Sequence, residues 1–453
     1  MTDSIQNKIL SYKDEMLNNL ARLVQYNSVQ SEALPGKPFG EMPAAVLAEA
    51  LQIAEELGFK TTNLDNYCGY AEMGEGKDII GIAGHLDIVP AGDGWSTDPF
   101  KMTQIGDRVY GRGTTDDKGP VIASLYAMKL IKDSGRPMNK RVRMIFGCNE
   151  ETGSLCMKHY REVEEPLAMG FTPDASFPCI HGEKGSMRIE VTSKNTKIID
   201  VHGGFVSNAV CHQCTTVIPA EISKEALEAA LAKTALKSFT VTEENGTLTI
   251  FAEGVAAHAS LPLLGVNAAG CTMQALADAG FRDDFVEFYN SRIGTTCDGI
   301  GCGLKFEDEF GVLTLNNGLI SMKDGVITCT LDIRVPVTVT EEQLRSSSAP
   351  YLENEQGKME ILRIGKPLFY PKDSALIKAL SSAYKDVTGD TEHEAEVIGG
   401  GTYAKALPGI VGFGPEMPGM DYRIHNADEF MIIPEFLQCV EIYTKAVENL
   451  LDA

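Results

Sequence analysis

The sequence predicts an α/β protein built as two domains, the first discontinuous and interrupted by an α+β insertion. Three observations carry that prediction. Helical and extended patterns alternate through roughly residues 1–185. Short alternating strands such as Met187-Arg-Ile-Glu-Val191 and Thr247-Leu-Thr-Ile250 dominate from there to about residue 369, with helical stretches near 223–235 and 266–280. Helical periodicity of the first kind then returns at Ser374 to Asp386 and from about Pro434 to Leu451. The expected domains are therefore 1–185 with 370–453, and an insertion at 186–369.

Taken in order, Ile5, Ile9, Tyr12, Met16, Leu20 and Leu23 recur at three- and four-residue spacing among charged residues, which is an amphipathic surface helix. Val46, Leu47, Ala50, Leu51 and Ala54 make the apolar face of a second helix, opened by Pro43 and closed by Gly58. Asp78 to Gly84 and Arg141 to Phe146 read as buried strands, and each runs into a polar cluster. His85 and Asp87 follow the first, and Asn149, Glu150 and Glu151 follow the second. Ligands of open α/β sheets bind at the carboxyl ends of strands, so these clusters lie where chemistry is expected.

The chain has 453 residues, with 43% hydrophobic and 23% charged, ordinary values for a globular protein large enough for two or three domains. Its 63 acidic against 40 basic residues give a formal charge of −23, which repels phosphate backbones and anionic membranes. Nucleic acid and membrane are thus not expected partners. The first helix lacks the unbroken apolar core of a signal peptide, and no run of about 18 apolar residues follows. Eleven cysteines, scattered singly in apolar stretches, read as reduced thiols, and the expected compartment is the cytoplasm.

Residues able to hold a divalent first-row metal are His85, Asp116 in Gly111-Arg-Gly-Thr-Thr-Asp116, Glu151 in Asn149-Glu-Glu151, Asp174 after Pro173, and His425. None is persuasive alone. An isolated histidine is usually structural, Asp116-Asp117 before Lys118-Gly-Pro120 reads as a turn and helix N-cap, and a Glu-Glu pair after a strand is usually solvated.

In their joint order, and with Gly84-His-Leu-Asp-Ile-Val-Pro90, these motifs resemble the carboxypeptidase G, aminoacylase and succinyl-diaminopimelate desuccinylase family of dinuclear metallohydrolases, over nearly the whole chain. Gly94-Trp-Ser-Thr-Asp-Pro-Phe100, Phe171-Thr-Pro-Asp-Ala-Ser-Phe-Pro178, Glu183-Lys-Gly185 and Gly399-Gly-Gly-Thr-Tyr-Ala404 resemble its PepV-like dipeptidase branch. The resemblance implies a zinc-peptidase-like catalytic domain, with a mixed sheet and flanking helices, and an inserted lid.

It further implies two divalent ions, zinc first, with manganese or cobalt as alternatives. His85 and Asp174 would hold one, Glu151 and His425 the other, and Asp116 would bridge them, with a cis peptide at Asp116-Asp117. Asp87 would hydrogen-bond the His85 ring and fix its tautomer. Glu150, free of metal, would take a proton from the water held between the ions and deliver it to the leaving amine. His258, with Asn208 and Arg334, would stabilise the oxyanion. Backbone N–H groups of the Gly399-Gly400-Gly401-Thr402 run would receive the substrate's C-terminal carboxylate.

The expected activity is hydrolysis of unblocked dipeptides by a monomer, with a small peptide as its partner. An N-acyl amino-acid amidohydrolase of the same fold and a peptide-binding protein without turnover are the alternatives. The retained Glu150 argues against the last, because binding alone needs no free base beside the metals. Cys211-His-Gln-Cys214 has no second cysteine pair for a zinc ribbon and reads as structural thiols.

Overall fold

The computed structural model describes residues 2–453. The chain divides into two compact units, Met1–Gly182 with Phe369–Val397 and Gly401–Ala453, and Glu183–Leu368 with Ile398–Gly400. The short segment Ile398–Gly400, expected in the first domain, thus groups with the inserted unit.

The first unit is organised by a mixed sheet. Ile79–His85 lies at its centre, parallel to both Arg141–Gly147 and Met169–Thr172. Ile410–Gly412 continues the parallel set beside Met169–Thr172, while Cys68–Met73 and Lys60–Leu64 add antiparallel strands at the other side. Ile79–His85 is buried at every position, which is why it reads as an unbroken apolar run. The helix Ile433–Asp452 packs against Lys118–Asp133 and Ala375–Thr388, and Thr2–Val24 packs against Lys118–Asp133. Phe171, Phe177, Phe413 and Tyr443 form a cluster of tilted and edge-to-face rings, giving this core its aromatic centre.

The second unit is built on an eight-stranded antiparallel sheet. One half runs Ser238–Glu244, Thr247–Glu253, Gln213–Pro219 and Asp200–Gly203; the other runs Thr314–Lys323, Val326–Val335, Gly185–Ser193 and Gly357–Gly365. The halves meet where His202 and Gly203 pair with Ser321 and Ile320. Burial alternates along Gly185–Ser193 and Gln213–Pro219, as in a sheet with one face in a core. The helices Ala268–Asp278 and Asp284–Arg292 supply part of that core, with Met273, Leu276, Phe285 and Phe288 buried.

No helix among the described residues is long and apolar enough to cross a membrane. All eleven cysteines are free thiols, ten of them buried.

Candidate metal centre

His85 ends the central strand, Glu150 and Glu151 follow the neighbouring strand Arg141–Gly147, and Asp174 follows Met169–Thr172 on the other side. Parallel pairing therefore brings three chain-distant carboxyl ends to one edge of the sheet. Asp116 enters from the loop before the helix Lys118–Asp133, through a cis Asp116-Asp117 peptide. His425 comes from a turn near the C-terminus with φ of 63°, a conformation that residues other than glycine hold only when their surroundings fix it.

The result is two donor sets, His85 with Asp116 and Asp174, and Asp116 with Glu151 and His425, each with ligand atoms within 4.8 Å of one another. Asp116 belongs to both. Its Oδ1 is 2.8 Å from His85 Nε2 and its Oδ2 is 2.9 Å from His425 Nε2. Asp174 Oδ2 lies 3.9 Å from His85 Nε2, and Glu151 Oε1 lies 3.2 Å from His425 Nε2. One carboxylate thus presents an oxygen to each imidazole, as a bridging ligand must.

The His85 ring is oriented from behind. Its Nδ1 is 2.9 Å from the backbone oxygen of Asp87, a group that can only accept, so this nitrogen carries a hydrogen and Nε2, beside Asp116, is the nitrogen open to a cation once its own proton is displaced. Asp87 Oδ1 lies 3.6 Å from the same ring nitrogen, and the carboxylate also accepts the backbone N–H groups of Glu150 and Glu151, at 3.0 and 3.1 Å.

Asp117 also departs from its sequence reading. It occupies the N-cap of the helix but makes no side-chain capping bond. Its Oδ2 accepts the backbone N–H of His85 at 3.0 Å, and its Oδ1 has no hydrogen-bond partner among the described residues. Gly84 makes room for this, because a Cβ there would stand 2.6 Å from both Asp117 Oδ2 and a methyl of Val121.

Electrostatically the site is short of positive charge. Burial pushes Asp174, Glu151 and Asp117 up from the ordinary carboxylate range, and the charge of Asp116 adds to each shift. Burial also drives Glu150 up to about 8, opposed by His85 and reinforced by Glu151, Asp87 and Asp116. Burial works against charge on His425, but hydrogen bonds to Asp116 and Glu151 outweigh it and raise the imidazole to about 10. Two nitrogens and three carboxylates in this arrangement fit two divalent first-row cations, whose charge would relieve the repulsion. Glu150 lies in neither donor set.

The remaining expected site residues belong mostly to the second unit. Asn208 and His258 sit on paired segments, with Ala209 bridged to His258 and the N–H of Ala259 donating to the Asn208 carbonyl at 2.8 Å. Arg334 is gripped by Asp332 at 2.7 Å and donates to the Gly399 carbonyl at 3.0 Å. Gly400 groups with this unit, whereas Gly401 and Thr402 belong to the first. The Thr402 hydroxyl caps the short helix Tyr403–Ala406 by accepting from Ala404 N–H.

Sequence reasoning missed Glu429. It is fully buried, and its carboxylate accepts from Gly113, Thr115 and Asp116 N–H and from Arg112. Its one local signal is an acidic residue placed directly before the apolar strand Phe430–Ile432 and four residues after His425.

Two donor sets sharing one aspartate, at the carboxyl edge of this sheet, place the chain among the dinuclear metallopeptidases. It belongs to peptidase family M20/M25/M40, whose model matches residues 81–449. "Putative dipeptidase YtjP" of Bacillus subtilis strain 168 is 35% identical over 462 residues, covering 98% of each chain. A Staphylococcus aureus strain USA300 relative, named in the same way, is 32% identical over 463 residues with 98% of each covered. Among solved structures, human carnosine dipeptidase 1 shares the fold, with a TM-score of 0.59 at 16% identity over 100% of this chain and 99% of that one.

Proposed function

We propose that the chain is a dipeptidase that hydrolyses the amide bond of unblocked dipeptides with Glu150 as general base. The observation that carries this reading is the pairing of a shared Asp116, one oxygen toward each imidazole, with a half-buried glutamate outside both donor sets. Names of relatives at 35% and 32% identity favour a dipeptide substrate. We take the ions to be zinc, with manganese or cobalt as alternatives, since imidazole and carboxylate ligands suit all three.

Ions bound at this centre supply Lewis-acid polarisation of the scissile carbonyl and acidify an attacking water. The chain's own residues do the rest. Glu150 takes the water's proton and passes it to the leaving nitrogen; burial raises its carboxyl to about 8 in the metal-free centre, and cations beside it would lower that value and favour the ionised, proton-accepting form. Asp87 holds the backbone of Glu150 and Glu151 in place. His258, Asn208 and Arg334 stabilise the oxyanion, Gly400 to Thr402 receive the substrate carboxylate through backbone N–H groups, and the second unit serves as a lid that excludes water.

Two further parts of the reading concern the protein's setting. The division of the second unit into two four-stranded halves supports a monomer that supplies its own oxyanion group. Eleven unpaired thiols support a cytoplasmic location.

The deciding experiment is a hydrolysis screen of free dipeptides, tripeptides and N-acyl amino acids, with Zn²⁺, Mn²⁺ and Co²⁺ supplied separately. Free dipeptides are expected to be cleaved fastest. Preference for N-acyl amino acids would replace the dipeptidase by an amidohydrolase, and cleavage of none by any metal form would remove the catalytic reading.

A further inference from the structure

Glu429 binds the loop that carries Asp116 as if that loop were a receptor for an anion. Its Oε1 accepts the N–H groups of Thr115 at 2.9 Å and Asp116 at 3.2 Å. Its Oε2 accepts Gly113 N–H at 3.0 Å and the Arg112 guanidinium at 2.7 Å. Arg112 in turn donates to the Ala91 carbonyl and lies over the Trp95 ring. Four donors converge on one carboxylate that has no exposure to solvent, and charge-assisted bonds of this kind are short and directional.

The same residue stands four positions after His425, in a turn where Arg423, His425 and Asp428 all have positive φ. Asp428 pins the turn from its other side by accepting the N–H and hydroxyl of Ser96 at 2.7 and 2.9 Å. Tyr110 pairs with Phe430 in register just beyond. Two chain segments about 310 residues apart, one bearing Asp116 and one bearing His425, are therefore locked together through Glu429, and their ligand atoms meet at 2.9 Å.

We propose that Glu429 is the positioning residue of the metal centre: by seating the backbone of residues 113–116 on its carboxylate, it sets the separation of Asp116 and His425, and with it the affinity for the ion that Asp116, Glu151 and His425 share. The inference rests on the two-ion reading of the centre. Glutamine at this position presents an amide NH₂ where the loop offers only N–H donors, so half of the cradle is turned against its occupant. Aspartate keeps the charge, but its stem is one methylene shorter and cannot reach both pairs of donors.

The test uses the full-length protein stripped of metal by chelator and titrated with Co²⁺, followed by calorimetry and visible absorption. Wild type is expected to bind about two ions in distinguishable steps. Glu429→Gln is expected to weaken one step by about 10- to 100-fold and to change the Co²⁺ spectrum, with kcat reduced and KM little changed. Glu429→Asp should fall between. The double variant Arg112→Met, Glu429→Gln leaves no buried unpaired charge, so it separates loss of positioning from loss of folding, and its metal affinity should still fall. Glu164→Gln, which disrupts the distant Arg143 ion pair of the same unit, should lower thermal stability and leave both Co²⁺ steps unchanged.

Wild-type affinity and spectrum in any folded Glu429 variant would overturn the inference. If Glu429→Gln does not fold, Glu429→Asp and the double variant give the same decision. Fewer than two ions in the wild type would instead overturn the two-ion reading on which the inference stands.

Discussion

The carboxylate of Asp87 accepts the backbone N–H of Glu150 at 3.0 Å, so the end of the central strand directly holds the segment that carries the proposed base. Its second oxygen accepts Glu151 N–H at 3.1 Å, and its own carbonyl takes the His85 ring. One residue thus couples one candidate metal ligand, the proposed base and a second candidate ligand. Asp87→Ala removes the two carboxylate bonds but leaves the carbonyl contact to the ring. Turnover and affinity for the ion held by Glu151 should fall by about 10- to 100-fold, while the His85 side of the centre is retained. Equal loss of both ions in a metal titration would show that Asp87 acts chiefly through the imidazole.

Glu150 and Glu151 are neighbours whose proposed roles can be separated by experiment. Glu150→Gln keeps shape and removes the proton acceptor, so kcat should fall by about 10²–10⁴-fold with both ions bound. Glu151→Gln should weaken the ion shared with His425 before it affects anything else. Near wild-type turnover in Glu150→Gln would move the base elsewhere.

Metal binding should release protons. His425 is raised to about 10, so near neutral pH the metal-free centre carries a proton that a cation must displace, and burial shifts Asp174 and Glu151 in the same direction. Affinity should therefore increase as pH rises toward about 10 and decrease as pH falls. Calorimetry in two buffers of different ionisation enthalpy measures the number released, and an identical heat in both would contradict it. Chelation should abolish activity, and His85→Ala should lose at least one ion with some thermal stability.

Gly84 is constrained by close approach. Gly84→Ala would drive a methyl group to within 2.6 Å of Asp117 and Val121, so overpacking should lower stability by about 1–3 kcal/mol and weaken metal binding with it. Denaturant unfolding of the metal-free protein measures the first effect apart from the second.

What the sequence made legible follows from how each feature is encoded. Ile79–His85 could be read because a strand buried on both faces is a continuous apolar run, and the polar residues that break the run are those at the sheet edge. His85, Asp116, Glu151, Asp174 and His425 could be grouped only by their order along the chain, since no local spacing relates them. The orientation of Asp87 was not legible: whether a carbonyl or a carboxylate meets the imidazole depends on turn geometry, and both come from the same residue. Glu429 was hidden for another reason. Three of its four donors are backbone N–H groups some 313 to 316 positions away, which leave no side-chain pattern to match, and the fourth, Arg112, is equally distant along the chain. The single eight-stranded sheet of the second unit was also illegible, because the edge-to-edge pairing of Asp200–Gly203 with Thr314–Lys323 joins segments over 100 residues apart.

The last prediction concerns whether one chain makes a whole active site. In dimeric relatives, as the sequence resemblance implies, a smaller insertion pairs with its twin and the oxyanion histidine comes from the partner. Here the second unit contains two four-stranded halves joined along Asp200–Gly203 and Thr314–Lys323, and on the proposed reading one half stands in for the absent partner. His258 is then expected to act within its own chain, and the protein should run as a monomer in light scattering. A lid engaging both ends of a dipeptide would hold its reacting carbonyl in place, and a third residue would displace that carbonyl; tripeptides should lose about 100-fold in rate. Mixing His258→Ala with Glu150→Gln decides the architecture, since each variant lacks a different group. Sites assembled between chains would regain activity in a fraction of mixed dimers that carry both groups. Self-contained sites would remain inactive at any mixing ratio, and that is the expected result; recovered activity, or an obligate dimer, would assign His258 to the partner's site.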